Sequence, residues 1–178
     1  MARTGRKRLG REDWFRVGLA TLAKTGPESL RATRLARCLG VTTGSFYWHF
    51  SSVEEFRCGL PVYWKEDVIV GLICAAKAGA REPAEILAEL RKRILESGAH
   101  RYDAAMRNWA RSDSHVREVV HSADEVRATF LEEMLRNSGM SEESARDRAN
   151  LIGAAWRGSQ DQENPEYRMK LIRLAASD

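Results

Sequence analysis

The sequence predicts an all-α protein, and three observations support this prediction. Apolar residues recur at the three- and four-residue spacing of helices that bury one face. Alternation of apolar and polar residues never persists, and the Asn-Gly and Asp-Gly dipeptides typical of β-hairpins are absent from the sequence. Glycine and proline divide the chain at intervals of about one helix length. With 178 residues, of which 43% are hydrophobic, the chain is long enough to bury a sizeable core.

Three short helices are predicted in the first fifty residues. The first carries Trp14 and ends at Gly26, because glycine followed by proline stops a helix. The second covers about 32–39 and the third about 42–49. Gly40 lies between them and can adopt the positive φ that a tight turn needs. Two short helices joined by a glycine-containing turn predict a helix-turn-helix.

Further helices are predicted over the rest of the chain. Pro83 and Pro165 suit a first helical position, and Asp113 and Ser141 suit N-caps. Gly139 fits the left-handed position after a helix. The predicted ranges are about 53–78, 84–98, 102–111, 114–138, 142–159 and 166–176.

The charge of the chain is divided unevenly between its two parts. Residues 1–50 hold ten lysines and arginines against three acidic residues, a net charge of +7, whereas the remainder has a net charge of −3. A basic front on a mildly acidic body is typical of phosphate binding by one region only. The alternative is a solubilising tail. The change in sign predicts two domains, 1–57 and 58–178.

Several classes of protein are disfavoured by the sequence. The longest apolar run, residues 68–76, is about half a membrane span, which disfavours a membrane protein. The N-terminus is basic, but the apolar region that a secretory signal peptide requires does not follow it, so no signal peptide is predicted. Three separated cysteines (Cys38, Cys58, Cys74) indicate a reduced, cytoplasmic chain.

An enzyme is also disfavoured. The histidines lack metal-ligand spacing, and no HExxH, GxSxG, phosphate-loop or CxxC motif occurs. We therefore predict no catalytic residue, no metal site and no cofactor.

An unbroken aromatic row follows the predicted turn. At about 100° per residue, Phe46 and Phe50 share one helix face, while Tyr47 and Trp48 lie well off it and His49 lies on its flank. If the phenylalanines face the core, the other rings point outward beside small hydroxyl residues, which allow close approach to a nucleic-acid backbone. The alternative is a packed hairpin with partly buried aromatics.

Residues 9–57 resemble the DNA-binding domain of TetR-type transcriptional regulators. The resemblance is carried by the first helix ending in glycine, by LARCLGVTTGSFYWHF, and by SSVEEF at the start of the next helix. In that family the third helix lies in the major groove. The resemblance implies DNA contacts from Thr33, Arg34, Thr42, Thr43, Ser45, Tyr47, Trp48 and His49.

The sequence departs from the family pattern at three positions. Arg31 stands where serine or threonine usually caps the second helix, so Ser29 is the candidate substitute. Thr43 and Val53 stand where the family often has cations. The hydroxyl of Thr42 is expected to cap the third helix at the N–H of Ser45. An N-terminal basic extension either offsets the missing cations or is a solvated tail: Arg3, Arg6, Lys7, Arg8 and Arg11.

The remaining chain is expected to bind a small molecule. Large side chains on the middle helices predict a pocket for an apolar ligand, with ordinary core packing as the alternative. Arg107 is either an anion partner in that pocket or a surface charge, and we favour the surface. The candidate pocket residues are Trp64, Tyr102, Met106, Trp109 and Phe130.

The last helices are expected to form a dimer interface, because family members pair them across a two-fold axis. A monomeric core is the alternative. Pro61 either starts a new helix or kinks a continuous one, and the segment Gly59–Pro61 either acts as a hinge or is a simple break. The candidate interface residues are Leu151, Ile152, Ala155 and Ile172.

Together the residues and the resemblance predict a homodimeric, ligand-responsive DNA-binding regulator, a repressor on a pseudo-palindromic operator of double-stranded DNA. One alternative is a DNA-binding protein without a ligand. Another is a protein-interaction module whose helix-turn-helix has lost its affinity for DNA.

Overall fold

The structure, a computed structural model, describes residues 9–158 except for the side chain of Trp156. Every regular element in this part of the chain is helical, which confirms the predicted fold class. The predicted helix over 166–176 lies outside the described residues. The α-helices are α1 (Arg11–Thr25), α2 (Ala32–Leu39), α3 (Thr43–Tyr47), α4 (Val53–Tyr63), α5 (Gly71–Gly79), α6 (Pro83–Ser97), α7 (Ala99–Trp109), α8 (Ser114–Asn137) and α9 (Glu142–Gly158).

Helices α1 to α4 enclose an aromatic cluster. Trp14 of α1 meets Phe46 of α3 edge to face, with ring centroids 5.3 Å apart. Phe50 and Phe56 lie on the other sides of Phe46, at centroid distances of 5.0 and 5.6 Å. All four side chains are at most 1% exposed. Such aromatic pairs contribute beyond their buried area, so this cluster fixes the orientation of the short helix α3.

Helices α1 and α4 approach each other closely through two glycines. A Cβ at Gly18 would lie 2.6 Å from Cζ of Phe56, and a Cβ at Gly59 would lie 3.0 Å from Cζ of Phe15. Both glycines therefore permit dense packing between the helices.

Helix α4 runs without a break into α5 through a π-helical segment, Trp64–Val70. Pro61 lies inside α4, so it does not begin a new helix. Proline has no backbone N–H and so removes one hydrogen bond from the helix. The hydrogen bonding continues after it, because the N–H of Trp64 bonds to the carbonyls of Leu60 and Pro61. Helical backbone thus continues from residue 53 to 79. A hinge at Gly59–Pro61 stays a prediction.

One apolar core extends from α1 to α8, and a smaller cluster joins α8 to α9. The smaller cluster consists of Leu135, Ala145, Ala149 and Ile152. Because the main core spans residues on both sides of position 57, the division into domains 1–57 and 58–178 stays a prediction.

The predicted caps were right at α8 and α9. Asp113 accepts a hydrogen bond from the N–H of Val116 at 3.2 Å, and the Ser141 hydroxyl accepts one from the N–H of Ser144 at 3.3 Å. Gly40 has φ +67° and ψ +33°, the left-handed conformation predicted for the turn.

Two predicted caps were wrong. The Thr42 hydroxyl lies 3.3 Å from the Ser45 hydroxyl and makes no capping bond to the backbone of α3. The Ser29 hydroxyl donates to the carbonyl of Gly26 at 2.7 Å, because Ser29 ends a short 3₁₀ turn, Pro27–Ser29. It is therefore held away from α2, whose N-cap residue Arg31 makes no side-chain capping bond.

Candidate functional site

Helix α3 exposes a face opposite its buried phenylalanine. Phe46 is fully buried, whereas 54% of Tyr47 and 89% of Trp48 are exposed. The predicted inward and outward directions of these three side chains are thus confirmed. An exposed indole has no packing role in the folded chain, so this surface is a candidate for contact with another molecule.

The other predicted DNA contacts lie on α2, which packs against α3, and on the segment from Thr42 to His49. Thr33 and Arg34 of α2 are exposed, as is Thr42 before α3. Thr43 and Ser45 are partly buried. Arg31, at the N-cap of α2, and Arg37, within it, are also exposed, and these two cations beyond the predicted set are suited to phosphate.

His49 is fixed by contacts of its ring and of its backbone carbonyl. Its ring is partly buried and lies 6.4 Å from the Trp14 ring, measured between centroids. Its carbonyl accepts a hydrogen bond from the guanidinium of Arg11, which also pairs with Glu55 at 3.0 Å and lies 4.3 Å from the centroid of Phe50. Arg11 therefore braces the end of α3.

The carboxylate of Glu55 completes this brace. The backbone N–H and the hydroxyl of Ser51 donate to it, and these two bonds, followed by the bond from Arg11, hold the pKa of Glu55 below its ordinary value. Sequence reasoning assigned Arg11 to the basic extension and missed this role. The other extension residues, Arg3, Arg6, Lys7 and Arg8, lie outside the described residues.

Val53, at a position where the family often has a cation, packs against the apolar core. Its side chain therefore stabilises the start of α4 and adds no charge to the surface.

A cavity of about 120 Å³ lies between α5, α6, α7, α8, α9 and the π-helical segment. Its walls are mostly aliphatic, and they include Leu72, Leu87 and Leu90. Of the five predicted pocket residues, Trp64 and Phe130 line it.

Tyr102, Met106 and Trp109 do not line this cavity. Met106 and Trp109 are 0% and 2% exposed and belong to the main core. The guanidinium of Arg57 lies 5.2 Å from the centroid of the Trp109 ring, so this indole joins α7 to α4. The face of α7 that turns to the cavity carries Ala99, His100 and Asp103 instead.

A buried ion network forms one wall of the cavity. Asp103 accepts from Arg127 at 2.5 Å and from Arg107 at 3.2 Å. Asp124 accepts from Arg107 at 2.5 and 2.9 Å and from Arg127 at 3.1 Å. We call these four residues the charged quartet.

The expected surface position of Arg107 was wrong, because its side chain is only 15% exposed. Burial opposes its charge, but the hydrogen bond to Asp124 and the charges of Asp103 and Asp124 outweigh burial and raise the pKa of Arg107 above its ordinary value. The guanidinium therefore stays charged inside the fold. The pair with Asp124 could not be predicted from the sequence, because Asp124 lies on another helix. Asp103, four residues before Arg107 on α7, is the sequence signal that could have indicated a paired arginine.

Comparison with known proteins gave matches by structure alone. No family model matches the sequence. No curated protein matches it either. A transcriptional regulator from Rhodococcus sp. Rha1 superimposes with a TM-score of 0.70 at 19% identity, over 94% of each chain. A TetR-family transcriptional regulator from Agrobacterium tumefaciens superimposes with a TM-score of 0.67 at 13% identity, over 93% of this chain and 95% of the other.

The chain has the TetR-family fold. A third structure with this fold is Thermus thermophilus FadR, a TetR-family repressor in complex with lauroyl-CoA, with a TM-score of 0.51 at 20% identity over 93% and 92% of the two chains. The resemblance drawn from residues 9–57 is confirmed for the fold, and it extends over more than nine tenths of the chain.

The predicted interface residues on α9, the last described helix of this TetR fold, differ in how exposed they are. Ile152 is 4% exposed because it packs between α8 and α9 within one chain. Leu151 is 66% exposed and Ala155 is partly buried. Ile172 lies outside the described residues. Leu151 is therefore a large apolar side chain on α9 that is accessible to a second copy of the chain.

Within residues 9–158, no group of three or more histidine, cysteine or acidic side chains is arranged to hold a metal ion. The same part of the chain contains no helix of the length and apolarity that a membrane span requires.

Proposed function

We propose that the protein is a DNA-binding transcriptional regulator that acts as a homodimer and responds to a small ligand. The observation that carries the proposal is the exposed face of α3, where Tyr47 and Trp48 project from a helix fixed on its other side by Phe46. Burying such rings in a major groove removes apolar surface from water and places a phenol within reach of bases and phosphates.

The cations around this face support DNA as the partner. Arg31 at the N-cap of α2 and Arg34 and Arg37 within it are exposed, and α2 packs against α3. We propose that they contact phosphates while α3 enters the groove. The predicted contacts Thr33, Thr42, Thr43, Ser45 and His49 complete the proposed interface. Because phosphate contacts release counterions, binding should weaken as salt is raised.

We propose that the ligand binds in the cavity and acts on α4. Helix α8, which supplies Phe130 to the cavity, also reaches α4, since His115 Nε2 lies 3.0 Å from the carbonyl oxygen of Cys58. The Arg57–Trp109 contact joins α4 to α7 in the same way. A ligand that moves α7 or α8 would therefore move the helix that follows α3, which changes the spacing of the two DNA-binding faces in a dimer.

Repression of a pseudo-palindromic operator is the mode we propose, since a two-fold dimer presents two equivalent faces to two half-sites. FadR of T. thermophilus is a repressor with this fold.

Replacing Tyr47 by alanine is expected to weaken specific DNA binding by about 1–3 kcal/mol, because a side chain in the groove loses its contacts with the bases. Fluorescence anisotropy on a DNA fragment selected from a random pool by the purified protein measures the change. Val62→Ala is the control, since Val62 is 42% exposed but lies on α4. Unchanged affinity in Tyr47→Ala, with helicity intact, rules out docking through α3.

Replacing Leu151 by glutamate is expected to convert a dimer into monomers. In a two-fold interface both subunits present the same residue, so the two negative charges would repel each other. Light scattering at micromolar concentration measures the mass. Leu95→Glu is the control, as Leu95 is 39% exposed on α6. A monomeric wild-type protein contradicts the dimer, and a dimeric Leu151→Glu variant places the interface elsewhere.

A further inference from the structure

The cavity has an apolar body and a charged side. Alongside its aliphatic walls, it is lined by two carboxylates and by several basic side chains. The charged or titratable lining residues are Arg91, His100, Asp103, Asp124, Arg127 and Arg157. The balance of these charges determines which ligand the cavity favours.

Both carboxylates are already engaged. Asp103 and Asp124 each pair with Arg107 and with Arg127, at nitrogen-to-oxygen distances between 2.5 and 3.2 Å. Two anions therefore meet two cations, and the charged quartet is neutral as a whole. A cationic ligand would have to compete with two guanidinium groups for these oxygens.

The charge of Arg91, unlike those of the charged quartet, is not paired with a carboxylate of the described residues. No ion pair joins it to any residue among 9–158, and its Nε is buried without a hydrogen-bond partner. The Nε of Arg93, two residues along the same helix, is also buried without a hydrogen bond, but it forms an ion pair with Glu89 at 2.8 Å, which Arg91 lacks. A buried donor without an acceptor costs free energy, which an incoming anion can recover.

Arg157 adds a second positive charge at the same cavity. It is exposed on α9, and no ion pair within the described part of the chain neutralises it. The basic surplus of the lining therefore comes from α6 and α9.

We propose that the cavity binds a small apolar molecule that carries a carboxylate, with the carboxylate paired to Arg91 and the apolar part against Leu87 and Leu90. This inference rests on the proposed function, in which the same cavity holds the ligand. A dry cavity of about 150 Å³ accepts one benzene ring. At about 120 Å³, this cavity suits an apolar body of roughly six carbons or fewer.

The test is calorimetric titration of the purified full-length protein with hexanoate, 1-hexanol and hexylammonium, which share one chain and differ in charge. Hexanoate is expected to bind at least about tenfold more tightly than hexanol, because a charge-assisted hydrogen bond exceeds a neutral one. Hexylammonium should bind more weakly than either.

Arg91→Gln should remove about tenfold of the preference for hexanoate over hexanol, and Arg93→Gln, the matched control, should leave it unchanged. Arg91→Lys keeps the charge and should retain most of the preference. Circular dichroism on each variant checks its folding.

The three probes also give results that overturn the inference. Equal binding of hexanoate and hexanol by the wild type, tighter binding of hexylammonium, no binding of any probe, or an undiminished preference in folded Arg91→Gln would each do so. Anisotropy with DNA, run in parallel, separates this failure from failure of the proposed function. A protein that binds DNA but not hexanoate rejects this inference alone, and one that binds hexanoate but not DNA rejects the regulator.

Discussion

Asp103→Asn is expected to lower the free energy of unfolding by about 3–5 kcal/mol, the range observed when one partner of a buried ion pair is removed. Asp103 is 2% exposed and accepts from both Arg107 and Arg127. Asparagine keeps the shape of the side chain but loses its charge. Two largely buried guanidinium groups, 15% and 22% exposed, then share the single carboxylate of Asp124, and the desolvation of their charges is no longer offset.

Urea denaturation followed by circular dichroism measures this loss. Glu142→Gln is the matched control, because Glu142 pairs with Arg146 at the same four-residue spacing. Those two side chains are 67% and 56% exposed, and exposed pairs contribute only about 0–1 kcal/mol. A loss in Asp103→Asn no greater than that of the control would show that the charged quartet does not stabilise the fold.

The charged quartet connects the cavity with the rest of the molecule. Asp103 and Arg107 belong to α7, which packs on α1, while Asp124 and Arg127 belong to α8. The guanidinium of Arg127 also lies 5.5 Å from the centroid of Trp64, in the π-helical segment that continues α4. Under the proposed function, a ligand that disturbs these contacts would act on both helices that reach α4, so the quartet would contribute to regulation as well as to stability.

The features predicted correctly from sequence are those that depend on neighbouring residues. Helix α2 covers Ala32–Leu39, as predicted, because its length is set by an apolar face and by a glycine in the left-handed conformation. The caps at Asp113 and Ser141 depend on a side chain and a backbone three residues away. The inward direction of Phe46 and the outward directions of Tyr47 and Trp48 were predicted from helical geometry alone.

Apart from the two local caps at Thr42 and Ser29, the features that were missed depend on packing between distant segments. Arginine is usually exposed, so Arg107 was expected at the surface, and its partner Asp124 lies 17 residues away on another helix. Which face of α7 turns toward the cavity depends on its packing against α1 and α8, and this packing places Met106 and Trp109 in the core and Asp103 in the cavity wall. Arg91 lines the cavity without an ion pair, whereas Arg93 pairs with Glu89, a contrast that appears once side chains are placed.

Phe46→Ala is expected to lower the free energy of unfolding by about 3–5 kcal/mol, because the deletion leaves a cavity where an aromatic ring was packed. The ring of Phe46 is fully buried and lies within 5.6 Å, between centroids, of the rings of Trp14, Phe50 and Phe56. Helix α3 is five residues long and too short to persist without this packing. DNA affinity should therefore fall together with helicity.

Trp48→Ala, two positions along, is the matched control and should behave in the opposite way. Trp48 is 89% exposed, so its removal should change the free energy of unfolding by no more than about 0.5 kcal/mol. Its loss should weaken DNA binding at full helicity, since only the proposed contact surface is altered. Denaturation and anisotropy on both variants separate the two effects. A Phe46→Ala variant as stable as wild type, or a Trp48→Ala variant that unfolds, would reverse the inward and outward assignment on which the DNA-binding face depends.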